Sequence, residues 1–274
     1  MRRRKNYIPV VGICSFLAIA CIMGGNYYCS YQHDKNESLY FKDMKDYLED
    51  KKIVEEVEQD PITVFVERED RAYVNYRNLQ LQVTNIQQNP ELPTGCEVTS
   101  LAIVMNYLNP DAHVDKVMLA DTFMEKGNPG TVSPDEAFVG NPRNSRYSFG
   151  ANAPVLVNTA NKYYKSKSSE PEFTAYNMTG TEFKDLLKYV VDGYPVMVWE
   201  TINLKDTYVS TTWTIDGKEI PWYAGFHCMV LIGFDYDKQV YYMADPLKEG
   251  ITTYDMSTVE DRYNTLGKQA VVIY

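Results

Sequence analysis

Two hydrophobic periodicities organise the chain beyond its first third. Over 95–108, apolar residues recur at Val98, Leu101, Ala102, Met105 and Leu108, spacings of three and four that share one helix face. Ile103, Val104 and Tyr107 make the opposite side apolar as well, which predicts a central helix covered on both sides. A second helix is predicted over 153–164. A third opens at Thr179-Gly180-Thr181-Glu182, which has the spacing of a capping box, turns Phe183, Leu186, Leu187, Val190 and Val191 inward, and stops at Gly193. From there the pattern is that of strands: one over 195–201, then 209–215 and 220–223 as a hairpin around Asp216-Gly217. A second hairpin is predicted from 226–234 and 239–244, and a last strand over 269–274. Helices followed by antiparallel strands predict an α+β fold.

Upstream the pattern weakens. The stretch 127–152 is rich in Gly, Asn and Pro and predicts a long loop, which in a compact domain is often functional. Segments 62–66 and 72–83 predict short strands or extended arms. Residues 32–60 are densely charged, with Leu39, Met44, Leu48 and Val54 as a narrow helical stripe. The expected organisation is a membrane-directed segment over 1–31, a charged stalk over 32–78 and a folded domain over 79–274. Arg2, Arg3, Arg4 and Lys5 precede an apolar centre over 8–23, about 16 residues and just short of a hydrocarbon core of about 30 Å. An uncleaved single-pass signal anchor, cleavage after Ala20 and lipid attachment at Cys21 all fit. Each leaves the N-terminus on the cytoplasmic side and the folded domain outside the membrane.

Composition removes several function classes. A hydrophobic fraction of 45% and 23 tyrosines suit a packed domain. With four of the 27 basic side chains in the first 31 residues, the rest of the chain holds 23 against 37 acidic ones, a body that repels phosphate backbones and predicts no nucleic-acid partner. No GxxxxGK[ST] or convincing GxGxxG is present, so no nucleotide is expected. The five cysteines, at 14, 21, 29, 96 and 228, form no CxxC, and no HExxH occurs; neither a metal nor another cofactor is expected.

Cys96 sits in Pro93-Thr94-Gly95-Cys96-Glu97, at the tip of the first predicted helix. Free backbone N–H groups and the positive dipole end stabilise a thiolate there. Gly95 is expected to leave room for a substrate beside the sulfur. An unremarkable Cys is usually a small buried hydrophobe, but Cys96 lies about 160° from the middle of the main stripe. Of three histidines, His33 falls in the stalk and His113 past the far end of a helix roughly 18 Å long. His227, opening an apolar strand, is left as a base. A turn centred on Tyr236 would set His227 directly opposite Asp245, which could then orient the imidazole. Asp245-Pro246 also fits an ordinary turn at a strand end.

The run Gln88-Asn-Pro-Glu-Leu-Pro-Thr-Gly-Cys96-Glu-Val-Thr-Ser-Leu, with Gly225-Phe-His227-Cys-Met-Val-Leu-Ile-Gly-Phe-Asp235 and Tyr-Met-Ala-Asp245-Pro246, resembles the papain-like peptidases related to bacteriocin leader-processing enzymes. It is most similar to their stand-alone, exported branch in Gram-positive bacteria, over about residues 80–274. The resemblance implies a papain-like fold with a central N-terminal helix on an antiparallel sheet, and a peptide or protein substrate. It also implies Cys96 as nucleophile, His227 as base, Asp245 as orienting residue and an oxyanion-stabilising glutamine at Gln88, with Gln87 as its neighbour. Pro195-Val-Met-Val-Trp199 resembles a strand of that family and is expected to serve packing. The transporter fused to the leader-processing enzymes is absent, so their double-glycine specificity does not transfer. Hydrolysis, transpeptidation, a non-catalytic peptide-binding domain and a Cys96–Cys228 disulfide are the competing expectations; strand alternation, which turns Cys228 away from His227, opposes the last.

Overall fold

The computed structural model describes residues 63–65 and 73–274; the predicted anchor and most of the stalk lie outside them. Two short strands, β1 (Thr63–Phe65) and β2 (Tyr73–Asn75), pair antiparallel and precede the main body, which runs Arg77–Tyr274. Among the described residues no helix is long and apolar enough to cross a membrane.

The central helix, α1 (Cys96–Leu108), is buried at every position from Cys96 to Met105, as its two-sided apolar pattern predicts. It packs mainly on β10 (Phe226–Asp235) and also on β7 (Val196–Thr201). These two strands form the middle of an antiparallel sheet. Its order is β12 (Ile251–Asp255), β11 (Val240–Ala244), β10, β7, β13 (Ala270–Ile273) and β6 (Ala175–Asn177). A further strand, β3 (Asn78–Gln80), pairs with the far end of β10 beyond the stretch bonded to β7. Strands β7 and β10 are buried almost end to end, which is why they read as continuous apolar runs rather than alternating ones. Helices α4 (Phe183–Val191) and α5 (Met256–Thr265) meet over β11 through aromatic rings. Phe183 lies 4.7 Å from Tyr241 and 5.1 Å from Tyr263 between ring centroids.

Helix α3 (Ala153–Lys167) runs three residues past its predicted end. The hairpin of β8 (Val209–Ile215) and β9 (Lys218–Tyr223) turns at Asp216 and Gly217, both at positive φ. That is the turn an Asp-Gly pair favours. The loop 127–152 is largely irregular, holding only β5 (Phe138–Val139), which pairs in parallel with β4 (Lys126–Gly127). A short helical segment, α2 (Lys116–Met118), leads into a π-helical stretch at Leu119–Phe123.

Three expectations are corrected. The capping box is not formed: Glu182 occupies the N-cap itself without capping by its side chain, and pairs with Lys268. The thiol-side glycine has a packing reason, since a Cβ on Gly95 would fall 2.8 Å from the Leu92 Cβ and 3.1 Å from the Pro142 Cβ. The β10–β11 register also differs: Val230 faces Ala244 and Leu231 faces Met243, followed by an irregularity before Gly233. Asp245 therefore lies past the paired part of β11, not opposite His227. The irregularity sits where β3 joins, and a Cβ on Gly233 would fall 2.2 Å from the Leu79 carbonyl oxygen. Gly233→Ala should cost about 1–3 kcal/mol by forcing two backbones apart. A urea midpoint equal to that of the parent chain would contradict this packing argument.

Candidate active site

Four chain segments converge at one end of α1. The arm between β3 and α1 supplies Gln88, the helix tip Cys96, the start of β10 His227, and the turn after β11 Asp245. Asn85 of the arm fastens that turn, the two hydrogens of its Nδ2 being shared among the carbonyls of Asp245 at 2.9 Å, Lys248 at 2.8 Å and Gly250 at 2.9 Å. The Gln88 backbone N–H donates to the Pro246 carbonyl at 2.9 Å. Arm and turn thus hold each other, and Gln88 comes beside Asp245 despite 156 intervening positions.

His227 and Asp245 are bonded directly. Nε2 of His227 lies 2.7 Å from Oδ1 of Asp245, both side chains being 1% exposed. The same oxygen accepts the Leu247 N–H at 2.9 Å, and Oδ2 accepts the Tyr254 hydroxyl at 2.7 Å. Burial works to raise the Asp245 carboxyl, but the His227 contact, the Leu247 amide and the Tyr254 hydroxyl outweigh it and hold it below its ordinary 3.8. The carboxylate is thus kept charged against the ring. With Nε2 committed to Asp245, Nδ1 is the nitrogen left to act on a substrate or thiol. The pairing was anticipated and its register was not; the turn, held by Asn85, brings Asp245 back to the ring.

Cys96 occupies the first position of α1 and is buried. Burial pushes its thiol well above 9.0, the neighbouring Glu97 carboxyl and the titratable Cys228 thiol add to this, and the backbone N–H of Cys228 pulls the other way. The sulfur therefore stands against the residue adjoining His227. Ser100, one turn on, ties helix to strand through a 3.1 Å bond to the Cys228 carbonyl. Cys96 and Cys228 are both free thiols, so the disulfide alternative is not formed. The hydrogen bond of the Cys96 thiol goes to Glu97 Oε2 at 3.3 Å, and none joins it to His227 in this state.

Gln88 is buried at 2% exposure, while Gln87 is exposed. The Gln88 Nε2 donates to the Pro93 carbonyl at 2.7 Å, three residues before Cys96, and its Oε1 has no hydrogen-bond partner. One Nε2 hydrogen is thereby left for another acceptor. The loop 127–152 closes the other side. Thr94 donates its N–H to the Pro142 carbonyl at 3.2 Å, and the Ala151 carbonyl accepts Trp199 Nε1 at 2.9 Å. Phe149, Trp213, Trp222 and Phe226 form an aromatic group beside Gly150, with Trp222 and Phe226 at 4.4 Å. His113, past the opposite end of α1, takes no part.

Two acidic residues escaped the sequence reading. Glu97 is fully buried, and burial pushes its carboxyl up to about 7 against the Ala151 N–H that it accepts at 3.0 Å. Glu200 faces His227 across β7 and β10, so the two side chains share one sheet face. It is also fully buried, neither carboxylate oxygen having a hydrogen-bond partner, and burial holds it well above 4.5 despite the Arg262 guanidinium. A charged residue inside an apolar strand is the available signal for Glu200, whereas Glu97, in the first turn of α1, carries none. Among the described residues no group of His, Cys, Asp or Glu is arranged to hold a metal ion.

These carboxyls make stability depend on pH in opposite senses. Glu97 and Glu200 are raised, so their contribution is complete below the ordinary 4.5 and is lost as pH rises through the folded value, about 7 for Glu97. Asp245 is lowered, so its contribution is present above 3.8 and is lost as pH falls through the folded value. The melting temperature should therefore be higher near pH 5 than at pH 8, and Glu200→Gln should flatten that fall. Parallel melting curves for variant and parent across this range would contradict the burial of an unpartnered carboxyl.

Comparison with known proteins agrees with the architecture. The model of the Peptidase_C39 like family matches residues 80–271. The Bacillus subtilis protein YvpB, itself uncharacterised, is 29% identical over 199 residues, covering 71% of this chain and 75% of its own. A crystal structure of a Bacillus anthracis protein described as C39-like shares 30% identity with a TM-score of 0.62, covering 72% of this chain and 98% of its own. With its central helix laid on an antiparallel sheet, the chain has the α+β papain-like architecture and belongs to the Peptidase_C39-like family.

Proposed function

We propose that this protein is a thiol-dependent peptidase that hydrolyses peptide or isopeptide bonds with Cys96 as nucleophile, His227 as base, Asp245 as orienting residue and Gln88 as oxyanion donor. The observation that carries the reading is the buried 2.7 Å contact between His227 Nε2 and Asp245 Oδ1, beside a cysteine at a helix tip. In the neutral ring Nε2–H donates to Asp245, and the Nδ1 lone pair accepts the thiol proton. The thiolate attacks the carbonyl carbon, and the oxyanion takes the free Nε2 hydrogen of Gln88 together with a backbone N–H at the tip of α1. The imidazolium, stabilised by the Asp245 carboxylate, returns its proton to the leaving amine. Water then releases the acyl group from sulfur. An amine in place of water would make the same site a transpeptidase.

Peptide or protein substrates follow from the family. The anchor belongs to this proposal too: the polybasic start and apolar 8–23 support a domain held outside the cell membrane by its N-terminal segment.

A peptide-binding domain without turnover draws on one observation, the bond of the resting thiol to Glu97 rather than to His227. Alkylation of the purified full-length chain by iodoacetamide near pH 6, with the sites mapped by mass spectrometry, separates the two. The peptidase reading predicts rapid labelling of Cys96 that slows in His227→Ala. Labelling at the rate of an ordinary free thiol, indifferent to His227, would favour the binding domain. Kinetically, Cys96→Ala should reduce hydrolysis of a fluorogenic peptide library to background while the melting temperature stays close to the parent value. Asp245→Asn should lower turnover with the fold kept, and Gln88→Ala should lower kcat about 10²–10³-fold. An unchanged kcat in Gln88→Ala would remove that residue from the mechanism.

A further inference from the structure

Glu97 is the partner that the thiol actually has. Its Oε2 lies 3.3 Å from Cys96 Sγ, while Oε1 accepts the Ala151 N–H at 3.0 Å. The slot around it is built to fit. A Cβ on Gly150 would fall 2.3 Å from Oε1, and the Ala151 peptide is gripped at its other end by Trp199 Nε1 at 2.9 Å. The carboxyl is fully buried, and among the described residues no Lys, Arg or His forms an ion pair with it. The titratable groups acting on it are few: Cys96 from its own helix and Cys228 from β10, whose neighbour is His227. From the loop it receives only the Ala151 amide.

We propose that Glu97 sets the protonation state of the nucleophile: charged, it retains the thiol as its own hydrogen-bond donor, and neutral, it releases the thiol to His227. This rests on the reading of Cys96 as nucleophile. The chemistry is one of charge proximity. While Glu97 is ionised, forming the thiolate would place two negative charges side by side out of water, so the proton stays on sulfur. When Glu97 takes a proton from solvent, that repulsion vanishes and Oε2–H can itself donate to the sulfur. The thiol proton then passes to Nδ1 of His227, leaving a thiolate held by the carboxylic acid, the Cys228 N–H and the first turn of α1. Only two protons move, one from solvent to the Glu97 carboxylate and one from the Cys96 sulfur to Nδ1 of His227. Burial, which pushes Glu97 up to about 7, sets the change of state within the neutral range, so the enzyme favours mildly acidic surroundings and loses activity as pH rises through that value.

Glu97→Gln tests this, because the amide oxygen can still accept the Ala151 N–H while the charge is gone. At pH 8–9, where Glu97 of the parent is ionised, Cys96 of the full-length variant should react with iodoacetamide at least about tenfold faster than in the parent, the size of one pKa unit, and the two rates should converge towards pH 6. Peptide hydrolysis by the variant should persist above pH 7, where the parent declines. Equal alkylation rates across the range overturn the proposal. If the variant fails to fold, ¹³C NMR of the Glu97 carboxyl in the unmutated protein decides: a midpoint near 7 supports the role, and an ordinary glutamate midpoint overturns it. The two readings separate cleanly. Faster alkylation in Glu97→Gln without hydrolysis by any form would sink the peptidase and leave the coupling. Hydrolysis that needs Cys96 and His227 but ignores Glu97 would do the reverse.

Discussion

The Asp245 carboxylate is the constraint around which this domain is arranged. A charge removed from water must be met by donors, and three converge on it: the His227 ring, the Leu247 amide and the Tyr254 hydroxyl. They come from β10, from the turn after β11 and from β12, so the sheet must be assembled for the charge to be tolerated. The turn is held in its place by Asn85 and the Gln88 backbone, which ties the arm leading into α1 to the same point. Once the arm and the strand are set, the tip of α1 has little freedom. Ser100 holds the helix to the Cys228 carbonyl, and Cys96 comes to lie against the strand that carries His227.

Around this centre the protein buries acid groups that most folds keep in water. Asp245 is stabilised as a charge, whereas Glu97 and Glu200 sit where ionisation is opposed. Groups whose environments push their proton affinities apart are a common mark of acid–base sites, although buried structural networks do this too. Here the opposed groups lie within one layer of contact: Glu97 on the thiol, Asp245 on the imidazole, Glu200 across the strand pair from that imidazole. The resting structure is therefore one in which sulfur and ring are each bonded to a carboxyl group rather than to each other.

Much of the fold was legible because its strongest signals are local. The two-sided apolar pattern of α1, the Asp216-Gly217 turn and the continuous apolar runs of β7 and β10 each follow from residue type and spacing. Helix α5 was not legible: it carries only Met256, Val259 and Tyr263 as buried residues among polar ones. Nor was the β10–β11 register, which depends on β3 meeting Gly233 from far upstream in the chain. The pairing of His227 with Asp245 was anticipated from a register that does not exist, and it forms because a turn and its clamp substitute for direct opposition. Glu97 stood in plain sight beside Cys96 but reads as a solvated first-turn acid. Only the loop folding back through Gly150 and Ala151 buries it.

Acid-quench trapping addresses the central claim most directly. The full-length chain would be mixed for milliseconds with activated peptide esters, quenched, digested and analysed by mass spectrometry. An acyl group carried by the Cys96 sulfur, accumulating before product in the parent and scarcely forming in His227→Ala, is the predicted result. Product formed with no acyl group on Cys96, or acylation indifferent to His227, would contradict the account.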